Sequence, residues 1–372
     1  MKKSNQFYIY ILLLATLFQN QTVFAQGCVA IKGNATSCMM IHPDSTNVAQ
    51  WQFTTSGRYF KSFRHFSGTT ENKERLIQGT EVVNYSSIVN LSLTRIIDNR
   101  WSAIVDIPIL NNVRSSLYEH GLVNGTYVKK ERNTTNSFGI GDIRFAVYRW
   151  LLDPLKNKKV NIQLGLGLKL ATGDYNYKDY WHNVGPNESN ELRPIDQSIQ
   201  LGDGGTGITL ELNTFYNLTD NFGMYGNFYY LSNPREQNGT RTYRETLSPR
   251  LANEAISSVP DQYMLRAGFN YSFNQIKGLY MTSGVRLEGI PVYDFIGGSG
   301  DFRRPGYIWS IEPSINYEYK KITLFASIPF AVVRNRTQSV TDKENSTIQG
   351  AHVQGDAAFA DYTINLGIST KF

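Results

Sequence analysis

One tripeptide of the sequence carries side chains that could catalyse hydrolysis, His65-Phe66-Ser67. An imidazole close to a hydroxyl can supply the general base and the nucleophile of a covalent mechanism. Such a pair also needs a third group that orients the imidazole, and all three must meet in space. The sequence shows no Asn placed to do this for His65, and His-x-Ser is a common chance tripeptide. We therefore predict that the protein is not an enzyme.

The sequence also gives little support for a metal, cofactor or phosphate site. The two cysteines, Cys28 and Cys38, have no histidines at metal-ligand spacing. The glycine-rich stretches at 203–205 and 297–300 lack the strand-to-helix context that a phosphate-binding loop requires. We predict neither a metal ion nor a cofactor.

The amino terminus predicts export from the cytoplasm. Two lysines precede a run of about a dozen apolar residues, and Val23 and Ala25 form a small-residue cleavage pattern. Residues 1–25 are therefore predicted to be a signal peptide, because a membrane-spanning helix would need roughly 20 apolar residues. The alternative of a lipoprotein signal ending at Cys28 lacks the expected leucine three positions earlier. In an oxidising compartment, Cys28 and Cys38 are predicted to form a disulfide.

Charge and hydropathy exclude two further classes. The chain has 37 Lys and Arg against 31 Asp and Glu, a net charge of +6, and these charges are scattered evenly. This pattern argues against a nucleic-acid partner. After the signal peptide there is no apolar stretch as long as about 18 residues, so membrane-spanning helices are not predicted.

The residues that remain follow a two-residue alternation. At the carboxyl terminus Tyr362, Leu366, Ile368 and Phe372 share one parity, and polar residues take the other. Successive side chains of a strand point to opposite faces, so each such segment has one apolar and one polar face. About twelve segments of this kind are predicted. They cover residues 50–64, 85–97, 101–112, 139–152, 159–172, 206–218, 221–233, 262–274, 279–292, 307–319, 321–334 and 360–372.

The connections between these strands alternate strictly between short and long. Many strands exceed the five or six residues usual in soluble sheets, and a membrane-crossing strand needs about 9–11. Short turns, long loops and an even strand number are typical of an outer-membrane barrel of a Gram-negative bacterium. We therefore predict an all-β fold, a transmembrane up-and-down antiparallel β-barrel spanning residues 49–372 with long external loops and short periplasmic turns. A soluble sandwich with core aromatics is the alternative.

Two details at the ends of the chain complete this interpretation. Residues 26–48 are predicted to form a short periplasmic or lumenal segment that holds the disulfide. Phe372 closes the last strand, and it resembles the terminal aromatic signal by which the barrel-insertion machinery recognises outer-membrane barrels. Outer-membrane lipid and that machinery are accordingly the predicted macromolecular partners.

If the apolar parity faces lipid, the opposite parity faces the lumen. The charged residues on that parity are predicted to form a solute path or, alternatively, a salt-bridged network that fills the barrel. They are Arg58, Asp106, Asp142, Arg144, Lys169, Glu211, Arg266, Arg286, Glu288 and Glu312.

Three glycine-rich stretches carry a resemblance to a known family. "GIGDIRFAVYRWLL", "LGLGLKLATGDY" and "QLGDGGTGITL" resemble signature stretches of the outer-membrane barrel family named after the meta-pathway of phenol degradation. The family's PTGD appears here as Ala171-Thr172-Gly173-Asp174, a departure at one position. The resemblance implies a transport barrel, related in type to fatty-acid channels, whose cargo is hydrophobic or aromatic.

The predicted function is passive uptake or export of small molecules through an outer-membrane channel. The first alternative is a non-transporting barrel that acts in structure or surface interaction through its long loops. The second is a lipid hydrolase, because a twelve-strand outer-membrane phospholipase family exists, and it would require Ser67 to be the nucleophile.

Overall fold

The computed structural model describes residues 51–372, except 118, 121, 124–125, 128–130, 243–246 and 248. Across these residues the main feature is a single sheet of long antiparallel strands. We number them β1 to β12, and three of them are interrupted. Their bounds are β1 Trp51–Ser67, β2 Val83–Ile96, β3 Trp101–Ser116, β4 Asn133–Ile140 with Arg144–Trp150, β5 Val160–Lys169, β6 Gly207–Asn217, β7 Phe222–Ser232, β8 Gln262–Ser272, β9 Leu279–Ile290, β10 Gly306–Ile311 with Ser314–Tyr319, β11 Ile322–Ser327 with Phe330–Asn335, and β12 Ala357–Lys371.

The sheet closes on itself. Each strand pairs with its neighbour in the chain, and β12 pairs with β1 along nearly its whole length, from Gln52 opposite Lys371 to Phe66 opposite Ala357. At the rim the Trp51 N–H donates to the Phe372 carbonyl at 3.1 Å, and the Phe372 N–H donates back at 2.9 Å. Closure removes the unpaired edges that an open sheet would expose. The predicted twelve-strand barrel is confirmed.

The connections lie at two distinct ends, which we call the short-turn end and the long-loop end. The short-turn end holds the β2–β3, β4–β5, β6–β7, β8–β9 and β10–β11 connections together with Trp51 and Phe372. The long-loop end holds smaller elements. These are helices α1 (Lys73–Ile77) and α2 (Val340–Gln349), 3₁₀ turns at Pro186–Glu188, Gln197–Ile199 and Pro249–Glu254, and short strands at Thr70–Glu71, Leu122–Val123, Thr126–Tyr127, Lys178–Trp181, Glu191–Pro194, Gln237–Arg241 and Ile256–Ser258. Among the described residues, no helix is long and apolar enough to cross a membrane.

The apolar side chains of the strands point outward. Leu166 is 63% exposed and Leu366 is 56% exposed, whereas their polar neighbours Gln163 and Ser369 are buried at 3% and 1%. In a soluble protein the leucines would be the buried set. A continuous apolar exterior around a closed sheet is the surface that a membrane barrel presents to lipid.

Aromatic residues mark the short-turn end of this exterior. Trp51 and Trp101 are the first residues of β1 and β3, and both are partly exposed. The guanidinium of Arg95 lies 5.0 Å from the Trp51 ring centroid, and that of Arg149 lies 5.1 Å from the Trp101 ring centroid. Rings with a cationic neighbour suit the depth at which lipid headgroups meet the hydrocarbon.

Two differences from the predicted strand limits have physical causes. The strands β10 and β11 are interrupted at Pro313 and Pro329, because proline has no N–H to donate to a ladder. At the long-loop end β4 begins at Asn133, six residues before its predicted start at 139. The first outward residues there, Thr134 and Asn136, are polar, so the apolar alternation on which the prediction rested ends before the strand does.

Candidate functional site

All ten predicted lumenal charges are buried, with side chains on the strand face opposite the apolar exterior. Each is 9% exposed or less. Their burial in one barrel means that each charge needs a partner, because an isolated buried ion is costly. The structure groups them into three sets.

The first set is centred on Arg144 of β4. Its guanidinium forms ion pairs with Asp106 of β3 and Glu211 of β6. The Tyr148 hydroxyl donates to Glu211 Oε2 at 2.8 Å, and the Ser92 hydroxyl donates to Asp106 Oδ1 at 2.5 Å. Four strands are thereby tied together across the interior near the middle of the barrel.

The second set is centred on Lys169, the last residue of β5. Its ammonium lies 3.2 Å from Asp142 Oδ2 and also contacts Asp203. Asp142 additionally accepts from the Gly173 N–H at 3.0 Å and from the Asp203 N–H at 3.2 Å. Asp203 was not among the predicted residues, because it lies in a loop outside any alternating segment.

The third set lies on the other side of the barrel. Arg266 Nε is 2.9 Å from Glu312 Oε2, and Arg286 contacts Glu288 at 2.6 Å and Glu312 at 3.8 Å. Arg58 of β1 donates from Nε to Asn365 Oδ1 at 3.1 Å. This set has three cations and two carboxylates, whereas the first two sets together have two cations and four carboxylates.

An internal cavity of about 210 Å³ lies between these charges and the long-loop end. Its walls combine apolar side chains with polar and charged groups, as in sites that hold small organic molecules. They include Phe60, Ile88, Leu110, Tyr229, Leu231, Asp142, Arg144 and Lys169 from the barrel, and Gln197, Ser198, Gln200, Leu201, Gly202 and Asp203 from the loop between β5 and β6.

Residues 195–203 of that loop fold into the barrel, and we call them the plug segment. Ile199 and Ile195 are buried at 1% and 2%. On one side the Ile199 carbonyl accepts from Ser137 Oγ of β4 at 2.5 Å and from Asn112 Nδ2 of β3 at 3.3 Å. On the other side Gln197 Nε2 donates to the Ser258 carbonyl at 2.9 Å.

Asp196 is held between two arginines from distant parts of the barrel. Arg304, just before β10, donates two hydrogen bonds to it at 3.1 and 2.8 Å, and Arg114 of β3 lies 3.5 Å away. Burial by itself would raise the pKa of Asp196, but Arg114 and Arg304 outweigh burial and hold that pKa well below its usual range. The carboxylate therefore stays ionised in mildly acidic solution.

His65 and Ser67 do not contact each other. His65 Nε2 accepts from the Val82 N–H at 2.9 Å, and Nδ1 is 3.0 Å from Asp356 Oδ2. The Ser67 hydroxyl instead accepts from Asn72 Nδ2 at 3.2 Å. In this arrangement His65 joins the end of β1 to two loop segments and is not positioned to activate Ser67.

The other predictions fall at the chain ends. Cys28, Cys38, the signal peptide and the 26–48 segment lie outside the described residues, so the disulfide and the cleavage remain predictions. Phe372 pairs with Trp51 at the rim and is 58% exposed. Its role as an insertion signal also remains a prediction.

Comparison with solved structures places this architecture among known barrels. An outer-membrane channel from Pseudomonas putida F1 superposes with a TM-score of 0.55 at 10% identity, covering 88% of this chain and 97% of that chain. The chain therefore shares the fold of an outer-membrane channel.

Other barrels superpose more loosely. A Pseudomonas aeruginosa FadL homologue gives a TM-score of 0.41 at 9% identity, covering 90% of this chain and 92% of its own. The P. putida toluene transporter TodX gives 0.40 at 10% identity with the same coverages. No protein-family profile and no curated protein matches the sequence. The resemblance to the meta-pathway family consequently stays a prediction.

Proposed function

We propose that the protein is a channel in the outer membrane of a Gram-negative bacterium, through which small molecules pass passively. Two features of the described residues support this function. The closed sheet exposes an apolar exterior suited to lipid, and its interior is polar. The cavity between the lumenal charges and the plug segment carries the proposal, because it is a solute-sized space inside the barrel.

The cavity walls support a solute with an apolar body. Phe60, Ile88, Leu110 and Leu231 offer apolar contacts, while Tyr229 offers a hydroxyl. The charged wall residues are two carboxylates and two cations, so the wall offers a fully charged solute no excess of counterions; they are Asp142, Asp203, Arg144 and Lys169. We propose hydrophobic or aromatic compounds as the cargo, with the ten lumenal charges lining the path and setting its selectivity.

Conductance of the purified protein in planar bilayers, together with solute flux into liposomes, tests this function. We expect discrete conductance steps from the wild-type protein. Ser86→Trp should reduce both signals because Ser86 lines the cavity and an indole would fill much of it. Ser87→Trp is the matched control, since Ser87 is the adjacent serine on the exposed face.

Two results would contradict this proposal. A heat-resistant folded barrel that never conducts would overturn the channel. Equal reductions from both tryptophans would show that the cavity is not on the solute path.

The side of the membrane reached by each end is a second testable proposal. We propose that the long-loop end faces the exterior and the short-turn end the periplasm. In a background with Cys28 and Cys38 changed to Ser, cysteines at the exposed positions Asn190 and Thr347 should react with a membrane-impermeant maleimide on intact cells. A cysteine at the exposed Lys156, in the β4–β5 turn, should react only after lysis. Reversed labelling would invert the orientation.

A non-transporting barrel is the second candidate, and the dense pairing of the interior favours it. Arg144 of β4 alone pairs with carboxylates on β3 and β6, as a rigid structural brace would do. The bilayer experiment separates the candidates, because a braced and sealed interior gives no conductance in either the wild type or Ser87→Trp.

A further inference from the structure

The plug segment extends from the β3 and β4 wall of the barrel to loops on its far side. Its Ile199 carbonyl is bound by Asn112 of β3 and Ser137 of β4. Its Gln197 side chain donates to the carbonyls of Ser258 and Phe302, which lie in the connections before β8 and β10. In a ring of twelve strands, β3 and β10 are separated by five strand steps one way and seven the other. The segment therefore extends from the β3 and β4 wall to loops that come from the far side of the ring.

The ion pairs of Asp196 indicate the same position for the plug segment. Arg114 comes from β3 and Arg304 comes from just before β10, and both approach the same carboxylate. Asp196 therefore joins a strand of the barrel wall to a loop that comes from the far side of the ring. Asp196 is 1% exposed, so this contact is shielded from solvent.

The carboxyl-terminal end of the plug segment is also bound to the barrel. Asp203 contacts Lys169 of β5 and accepts from the Gly205 N–H at 2.8 Å. Close backbone packing adds to this, because a Cβ on Gly173 would lie 2.6 Å from the Leu201 carbonyl oxygen. The ion pairs of Asp196 and Asp203 and the backbone contact at Leu201 hold both ends of the plug segment inside the barrel.

We infer that residues 195–203 form the constriction that sets the size limit for solutes. The ion pairs of Asp196 with Arg114 and Arg304 hold this segment in the lumen. This inference rests on the proposed channel function. In this arrangement the plug segment selects solutes by size, and the charged residues of the barrel wall select them by charge.

Two changes to the plug segment test the inference. Asp196→Asn removes the charge that both arginines share, and a second variant replaces residues 195–202 by a glycine-serine linker of equal length while keeping Asp203. We expect a several-fold rise in single-channel conductance with the linker and a smaller rise with Asp196→Asn. In liposome swelling, both should admit larger neutral sugars than the wild type does.

The matched control is Arg303→Gln. Arg303 is as buried as Asp196 and forms a two-bond ion pair with Asp294 at 2.8 and 2.7 Å in the loop that also carries Arg304. Its hydrogen bonds go to Asp294 and to the Gly298 carbonyl, both outside the plug segment. We expect the size limit of this variant to equal that of the wild type, even if its folded band is less heat-resistant.

The possible results separate this inference from the proposed function. A conducting wild type whose size limit is unchanged in both plug variants would overturn the constriction and leave the channel standing. A sealed wild type with a conducting linker variant would support the constriction and overturn passive passage through the resting protein. No conductance in any folded variant would overturn both, and an equal change in Arg303→Gln would show that loop loosening in general, not the plug segment, sets the limit.

Discussion

Replacement of Glu211 by Gln is expected to lower the free energy of unfolding by about 3–5 kcal/mol, because it removes one partner of a buried ion pair. Glu211 is 1% exposed, and its carboxylate accepts from both Arg144 and Tyr148. The substitution leaves the Arg144 guanidinium, itself 2% exposed, with the Asp106 carboxylate as its remaining charged partner in this set. Denaturant titration of the purified barrel in lipid vesicles, followed by tryptophan fluorescence, measures the change.

Two comparisons make this result specific. Asp220→Asn removes a carboxylate from an exposed turn between β6 and β7 and should change stability little. The triple replacement Asp106→Leu, Arg144→Met and Glu211→Met should cost less than Glu211→Gln, because no charge of this buried set remains. If Glu211→Gln and Asp220→Asn had equal effects, the Arg144 set would not be a buried network.

Leu166→Arg is expected to destabilise the membrane-embedded barrel by about 2–4 kcal/mol, since it places a cation on the lipid-facing surface near the middle of β5. Leu166 is 63% exposed in the protein, and its neighbours on this face are Leu164 and Leu168. The cost arises from lipid alone, because an arginine would be well solvated at such an exposed position in water. Folding into vesicles, followed by the heat-resistant band on a gel, reports the loss.

The control for this effect lies on the same face of the same strand. Val160 is 40% exposed and is the first residue of β5, next to the short turn. Val160→Arg should cost about 0–1 kcal/mol, because an arginine near the interface can reach the headgroups. Equal damage from the two substitutions would contradict the depth assigned to β5, and no damage from either would contradict a lipid-facing exterior.

The barrel could be predicted from the sequence because its signal is local and repeated. A period of two assigns each strand residue to one of two faces, and the alternation of short and long connections assigns the strand ends. Leu166 and Gln163 were separated in this way before any pairing was known, and the structure places them outside and inside as predicted. The same reasoning picked out ten charged residues that the structure buries, but it left out Arg64, Arg114 and Arg334, which are buried on strands as well.

Pairing among those charges could not be predicted. The two-residue alternation determines which face of β4 carries Arg144, but not which residues of β3 and β6 lie beside it. Glu211, for example, is 67 residues away in the chain. Register depends on how the closed ladder aligns whole strands, which is a property of the sheet and not of a segment. The sequence therefore gives the interior charges as one set, whereas the structure divides them into three, two with more carboxylates than cations and one with more cations than carboxylates.

What the sequence by itself determined is the class of fold, the apolar outer face of the strands and ten of the charged residues on their inner face, because each follows from side chains a few residues apart. Only the tertiary structure decided that residues 195–203 enter the barrel. That segment has no periodicity, and its position comes from Asp196 meeting Arg114 and Arg304, which lie 82 residues before and 108 residues after it in the chain. Contacts over such separations exist only once the ring has closed and brought β3 and β10 to face each other across one lumen.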